Sequence, residues 1–203
     1  MKLLLVAATP QEIQLFIDQK GPFGSDVEVL ITGVGMVATA FALGKKLIKE
    51  KFDLAINAGI AGAFDRHFSI GDVVSVKEDH FSELGAEDNE DFIPIDTLGF
   101  GKSLLKPVGN FPFGDRLSEV TAITVNKVHG SSASIHRTQA ALNPQIESME
   151  GAAFFYACEQ FALPCIQIRS ISNYVEPRNR ESWNIPLAIK NLNTELIQIV
   201  EQL

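Results

Sequence analysis

Basic residues are in short supply in this chain. Lysine and arginine number 17 against 25 aspartates and glutamates, a net charge of −8. Sequence-independent binding to nucleic acid needs a basic face to neutralise phosphates. That deficit argues against a nucleic-acid partner, but not against an uncharged nucleoside. Cysteine is scarcer still, with only Cys158 and Cys165. They lack metal-ligand spacing and both fall in apolar stretches, so they read as small reduced core residues rather than a disulfide. No apolar run approaches the roughly 20 residues that cross a bilayer. The run at residues 3–8 falls short of the roughly 7–15 residues of a signal-peptide core, and Thr9-Pro10-Gln11-Glu12 ends it. A cytoplasmic protein with no membrane partner is expected. Also missing are a Gly-x-Ser-x-Gly elbow and a Walker-type loop, which leaves serine-hydrolase and P-loop chemistry without a carrier.

What is present is an alternation of apolar runs and helical patterns. Apolar residues make up 46% of 203, enough for a sizeable core in one domain spanning residues 1–203. Residues 3–8 read as a central strand buried on both faces. A helix starts with Thr9 as N-cap, Pro10 in the first turn and Glu12 at the third position. Glu12 is open to two readings, a capping box or a carboxylate at the mouth of a crevice, and the two compete for the same oxygens. Residues 27–32 form a strand, and Gly33-Val34-Gly35-Met36-Val37-Ala38 opens a helix over 36–50. Those glycines match the dinucleotide pattern G-x-G-x-x-A. However, Asp53 stands at the start of the next strand, whereas a ribose would need an acid at its end. The glycines are therefore read as places of close backbone approach. A strand over 53–58 leads into a loop of small residues, Asn57-Ala58-Gly59-Ile60-Ala61-Gly62-Ala63-Phe64. Gly71-Asp72 turns into a further strand. Residues 82–106 are a polar excursion over the surface, a candidate lid. A strand over 120–126, a helix over 135–142 and a last helix over 185–202 complete the pattern. The alternation implies an α/β fold: one three-layer domain with a mixed, mostly parallel central sheet flanked by helices.

The stretch 146–183 carries most of the chemistry. It places an acid, Glu150, at the end of a short strand, then a helix, then a buried strand over 165–171, then Ser172-Asn173 and a polar loop. Ligands in open α/β sheets sit outside the carboxyl ends of strands, so Glu150 and Asn173 project into one crevice. His129 and His136 have no cysteine or acidic partner at ligand spacing and read as a loop and a helix-surface histidine. No metal or cofactor is expected. Arg178 and Arg180 lie in the polar loop beside Trp183, the single tryptophan.

The Glu12 turn, the segment 57–63, Gly71-Asp72-Val73-Val74, Ser148-Met149-Glu150-Gly151-Ala152 and Arg169-Ser170-Ile171-Ser172-Asn173 together resemble the purine nucleoside phosphorylase and nucleosidase superfamily. The five motifs occur in order across nearly the whole chain. The segment 172–183 is similar to the futalosine hydrolase branch, which releases hypoxanthine from futalosine in a route to menaquinone. The resemblance implies that Met149 and Glu150 hold the ribose and that Glu12 activates the attacking water. Val128 and His129 are implied to pack on the base and meet its edge, with Ile60 and Gly62 close to the ligand. Arg178 or Arg180 would meet the carboxylate of futalosine, since guanidinium pairs bidentately with carboxylate. A homo-oligomer, with a dimer favoured, is implied as well.

Two departures from the pattern matter. Asn173 stands where methylthioadenosine nucleosidases have an aspartate that protonates purine N7. An asparagine is no proton source, but its carbonyl accepts from N7–H while its amide donates to O6. Asn173 thus favours a 6-oxopurine such as hypoxanthine over adenine, whose amine donates. Ile60 stands where relatives often carry a hydroxyl that helps to bind phosphate, so water is the expected nucleophile. The competing readings are a methylthioadenosine/S-adenosylhomocysteine-type nucleosidase, a purine nucleoside phosphorylase and a non-catalytic nucleoside-binding module.

Overall fold

The computed structural model describes residues 1–19, 26–89, 91–109 and 116–203. Among them the chain runs β1 (Leu3–Ala7), α1 (Gln14–Asp18), β2 (Val27–Ile31), α2 (Met36–Leu47), β3 (Leu54–Ala63), β4 (Val73–Phe81), β5 (Gly85–Asp88), β6 (Asp91–Pro94), α3 (Ile95–Leu98), β7 (Leu104–Leu105), β8 (Ser118–Thr124), α4 (Ser132–Leu142), β9 (Ile146–Ser148), α5 (Gly151–Gln160), β10 (Cys165–Tyr174) and α6 (Ile185–Glu201). Short 3-10 turns cover Pro10–Ile13 and Arg180–Ser182.

The central sheet is mixed. β2, β1, β3 and β10 run parallel in that order. β10 then pairs antiparallel with β4, β4 parallel with β8, and β8 parallel with β9. β9 returns to the end of β3 in antiparallel fashion. The pairings therefore close a ring of β3, β10, β4, β8 and β9, with β1 and β2 extending from it. One layer, with α2 and α5, packs on Leu4 and Val6, while α1 and α6 pack on Leu3, Leu5 and Ala7. That two-sided burial is why β1 is apolar at every position rather than at alternate ones.

Three expectations are corrected. β3 does not end at residue 58 but continues to Ala63 through the expected loop. Its small residues let it pair with β10 along its length and then meet β9 at Gly62 and Ala63. β10 likewise runs on to Tyr174, past the expected end at residue 171. The excursion over 82–106, of which residue 90 lies outside the described residues, is largely ordered into the hairpin β5–β6, α3 and β7. β7 pairs with β4 in the central sheet.

Candidate active site

A cavity of about 450 Å³ opens at the carboxyl ends of β1, β3, β9 and β10. That volume suits a ligand of nucleoside size. Glu12, Ile60, Gly62, Val128, His129, Met149, Glu150, Asn173 and Arg178 all line it. Arg180 does not. No described residue of the 82–106 excursion lines it either, so in this conformation the excursion is not a lid over the cavity.

Glu12 resolves its two readings by dividing its oxygens. Oε2 accepts from the Thr9 amide at 2.9 Å and the Thr9 hydroxyl at 3.1 Å, closing the capping box. Oε1 turns to β3 and accepts from the Ile60 amide at 3.3 Å. A Cβ on Gly59 would lie 3.0 Å from Oε1, so glycine is what admits the carboxylate here. Each carboxylate oxygen offers two acceptor sites, which leaves capacity on Glu12 for the proton of a water.

Glu150 stands at the N-cap position of α5 without a side-chain capping bond and is buried. Its Oε1 accepts from the Gly35 amide at 2.9 Å, and its Oε2 from the Met149 amide at 3.3 Å. Gly35 has φ 98°, a left-handed conformation that glycine adopts without strain. The second glycine of the dinucleotide-like pattern thus turns an amide onto a carboxylate. Burial raises the Glu150 pKa, the Arg169 charge and the Gly35 amide oppose that rise, and the negative Glu12 adds to it.

Arg169 is the residue that sequence reasoning passed over as part of a motif. It is fully buried in β10. Nη1 donates to the carbonyls of Asn57 at 3.3 Å and Ile168 at 3.0 Å, and Nη2 donates to the Asn57 side chain. Burial pulls its pKa down, while Glu150, Glu12 and Asp79 pull it up. One buried cation thus sits among the carboxylates of the site. A signal existed, because a buried arginine in an apolar strand is costly unless it is paired.

Asn173 owes its orientation to a β-bulge. The register between β3 and β10 slips after Ile171, leaving Ser172 as the extra residue, and bulges re-aim side chains. Asn173 Nδ2 donates to the Tyr174 carbonyl at 3.0 Å, and Oδ1 accepts from the Ser172 hydroxyl at 2.8 Å. A carbonyl accepts only, so these contacts decide which end of the amide is which. One amide hydrogen and one carbonyl lone pair remain for a ligand.

His129 lies in the loop between β8 and α4, as expected, but its backbone amide and its ring are both engaged within the protein. Its backbone N–H donates to Glu147 Oε1 at 3.0 Å, and its ring Nδ1 meets Glu147 Oε2. Nε2 lies 2.8 Å from the Thr138 hydroxyl. Glu147 is only 3% exposed and lines the cavity; it too went unmarked in the sequence. His136 is exposed on α4. Among the described residues no group of His, Cys, Asp and Glu is arranged to hold a metal ion. At the cavity mouth the Arg178 guanidinium lies 5.3 Å from the Trp183 ring centre, and that of Arg180 lies 5.9 Å from it.

The phosphorylase superfamily profile matches residues 2–203. The chain is 30% identical over 177 residues to the futalosine hydrolase of Streptomyces coelicolor, covering 81% of this chain and 74% of that one. It is 31% identical over 168 residues to the 5'-methylthioadenosine/S-adenosylhomocysteine nucleosidase of a Shewanella species, covering 74% and 69%. The crystal structure of the Helicobacter pylori 5'-methylthioadenosine/S-adenosylhomocysteine nucleosidase superposes with a TM-score of 0.86 at 16% identity, over 100% of this chain and 99% of that one.

Proposed function

The chain belongs to the phosphorylase superfamily and is an N-glycosidic hydrolase, and we propose that its substrate is futalosine, cleaved to hypoxanthine and dehypoxanthine futalosine on a route to menaquinone. The observation that carries the substrate is Asn173. Its backbone and Ser172 contacts leave an acceptor and a donor for the ligand, the complement of N7–H and O6 in a 6-oxopurine. An adenine would set its amine against that donor.

The mechanism divides among residues on three sides of the cavity. The C1'–N9 bond breaks through an oxocarbenium-like state. Glu150 accepts from the ribose hydroxyls, and its charge faces the cationic sugar, a preorganised contribution of about 10²–10³-fold for a single group. Met149 packs beside it. Glu12 takes the proton of the attacking water, worth about 10²–10⁴-fold. Ile60 offers no hydroxyl to a phosphate, and Glu12 repels one, so water rather than phosphate attacks. Val128 lies against the base, and Arg178 meets the carboxylate of the substrate.

The protein works as a cytoplasmic homodimer in this reading. Val34, just before α2, and Val37 and Phe41 within it stand 57%, 80% and 72% exposed, and clustered exposed apolar side chains mark interaction sites. Val34 also lines the cavity, so an interface on this face would lie beside the site.

The test is base release from futalosine, inosine and methylthioadenosine, with and without phosphate. Hypoxanthine from futalosine, indifferent to phosphate, is expected. Adenine released from methylthioadenosine at a comparable rate would overturn the assignment of Asn173 and leave only the broader nucleosidase activity.

A further inference from the structure

A purine departs readily only once N7 is protonated, and Asn173 has no proton to give. We propose that the His129–Glu147 pair supplies that proton, which makes both catalytic residues in the departure of the base. The proposal rests on the nucleosidase reading above.

The sheet register places the pair. Gly62 of β3 lies opposite Glu147 of β9 on one side and opposite Asn173 of β10 on the other. Residues paired across strands project to the same face, so Glu147 and Asn173 flank Gly62. A Cβ on Gly62 would sit 3.2 Å from Asn173 Nδ2 and 3.5 Å from Glu147 Cγ. The same position is 3.0 Å from Val175 Cγ2, so glycine is what lets these side chains close on this point of the cavity wall. The base reader stands on one side of it and the Glu147 side chain on the other.

Elimination leads to the same pair. The titratable groups lining the cavity are Glu12, His129, Glu147, Glu150 and Arg178. Glu12 takes the proton of water, Glu150 faces the ribose, and a guanidinium keeps its proton. His129 and Glu147 remain. A carboxylate as buried as Glu147 is costly unless charge or hydrogen bonds compensate it, and His129 gives it both an amide and a ring nitrogen. Thr138 suits both protonation states. Its hydroxyl accepts from Nε2–H of the imidazolium and donates to Nε2 of the neutral ring.

The step balances as follows. The loaded pair is imidazolium and carboxylate. The C1'–N9 bond breaks with its electrons going to the base. N7 takes the proton held between Nδ1 and Oε2, from Glu147 directly or across one water. The pair is left as neutral imidazole and carboxylate. Water forms the C1'–O bond and yields its proton to Glu12. Glu12 then releases a proton to solvent, and the pair regains one.

The experiment compares inosine or futalosine with p-nitrophenyl β-ribofuranoside, whose phenolate leaves without a proton. E147Q and H129Q are expected to lose about 10²–10⁴-fold in kcat on the purine nucleoside, the range of general acid catalysis, and little on the nitrophenyl riboside. Equal losses on both substrates would reduce the pair to a structural role, and no loss on the purine nucleoside would also overturn the proposal. Should either variant fail to fold, the solvent deuterium isotope effect on the unaltered enzyme decides. It is expected to be larger for the purine nucleoside, and equal effects would overturn the proposal. A wild-type enzyme that releases no base from any of these compounds overturns the nucleosidase reading itself, and the pair's role falls with it.

Discussion

Replacing Asn173 by aspartate exchanges one nitrogen for oxygen beside the base. In the wild type, Nδ2 donates to the Tyr174 carbonyl at 3.0 Å and Oδ1 accepts from the Ser172 hydroxyl at 2.8 Å. N173D keeps the second bond. It destroys the first, because its other carboxyl oxygen faces a carbonyl oxygen and only a proton between them relieves the repulsion. A protonated carboxyl has a single hydrogen. That hydrogen serves the Tyr174 carbonyl or the ligand, but not both, whereas the amide serves both. A 6-oxopurine therefore loses its donor at O6. Leaving a buried acceptor unmatched costs about 1–3 kcal/mol, which corresponds to roughly 5- to 150-fold. The expected result is a fall of that size in kcat/KM for the 6-oxopurine nucleoside. A 6-aminopurine nucleoside, whose amine finds a new acceptor, gains relative to it. Hypoxanthine and adenine released from paired substrates, separated by chromatography, give the ratio directly. An unchanged ratio would refute the claim that Asn173 reads the base.

Three further outcomes are expected. E12Q keeps a residue compatible with the capping box, so its melting temperature should stay close to wild type while kcat falls about 10²–10⁴-fold; wild-type kcat would remove Glu12 from the mechanism. R178A should raise KM for futalosine about 5-fold, the scale of an exposed ion pair of ~1 kcal/mol. R180A should leave KM alone, since only Arg178 lines the cavity, and an unaltered KM in both variants would take the carboxylate contact away from this loop. Asp79 lies fully buried beneath α5, and burial pushes its pKa from 3.8 up to about 6, against the hydrogen bonds from Gln167 and Thr124. The native state then holds a proton that the unfolded chain releases between these values. The associated stability is present in full below the lower pKa and is lost as pH rises through the upper one, about 3 kcal/mol in all. D79N should flatten denaturant-unfolding stability across pH 4 to 7; a slope equal to wild type would show that Asp79 is not its source.

Much of the architecture is legible in local pattern. β1 is a continuous apolar run because both its faces are covered, and α6 shows one apolar stripe. Glu12, Glu150 and Asn173 are readable because each follows or ends a strand in a sheet whose ligand crevice has a fixed place. The paths of β3 and β10 are less legible. Small residues such as Gly59 and Gly62 have the composition of a loop, and their strand conformation comes from partners more than eighty residues away in β9 and β10.

The residues' own chemistry determined the α/β class, the caps, and the preference of an amide over a carboxyl at position 173, because these depend on period, propensity and the donors and acceptors of one side chain. Only the tertiary structure decided that Glu147 meets His129, that Arg169 lies among Glu12, Glu150 and Asp79, and that of two neighbouring arginines Arg178 alone lines the cavity. Those pairings depend on sheet register and on a one-residue bulge at Ser172. Register is the sum of many weak contacts between distant segments, and no single segment carries it.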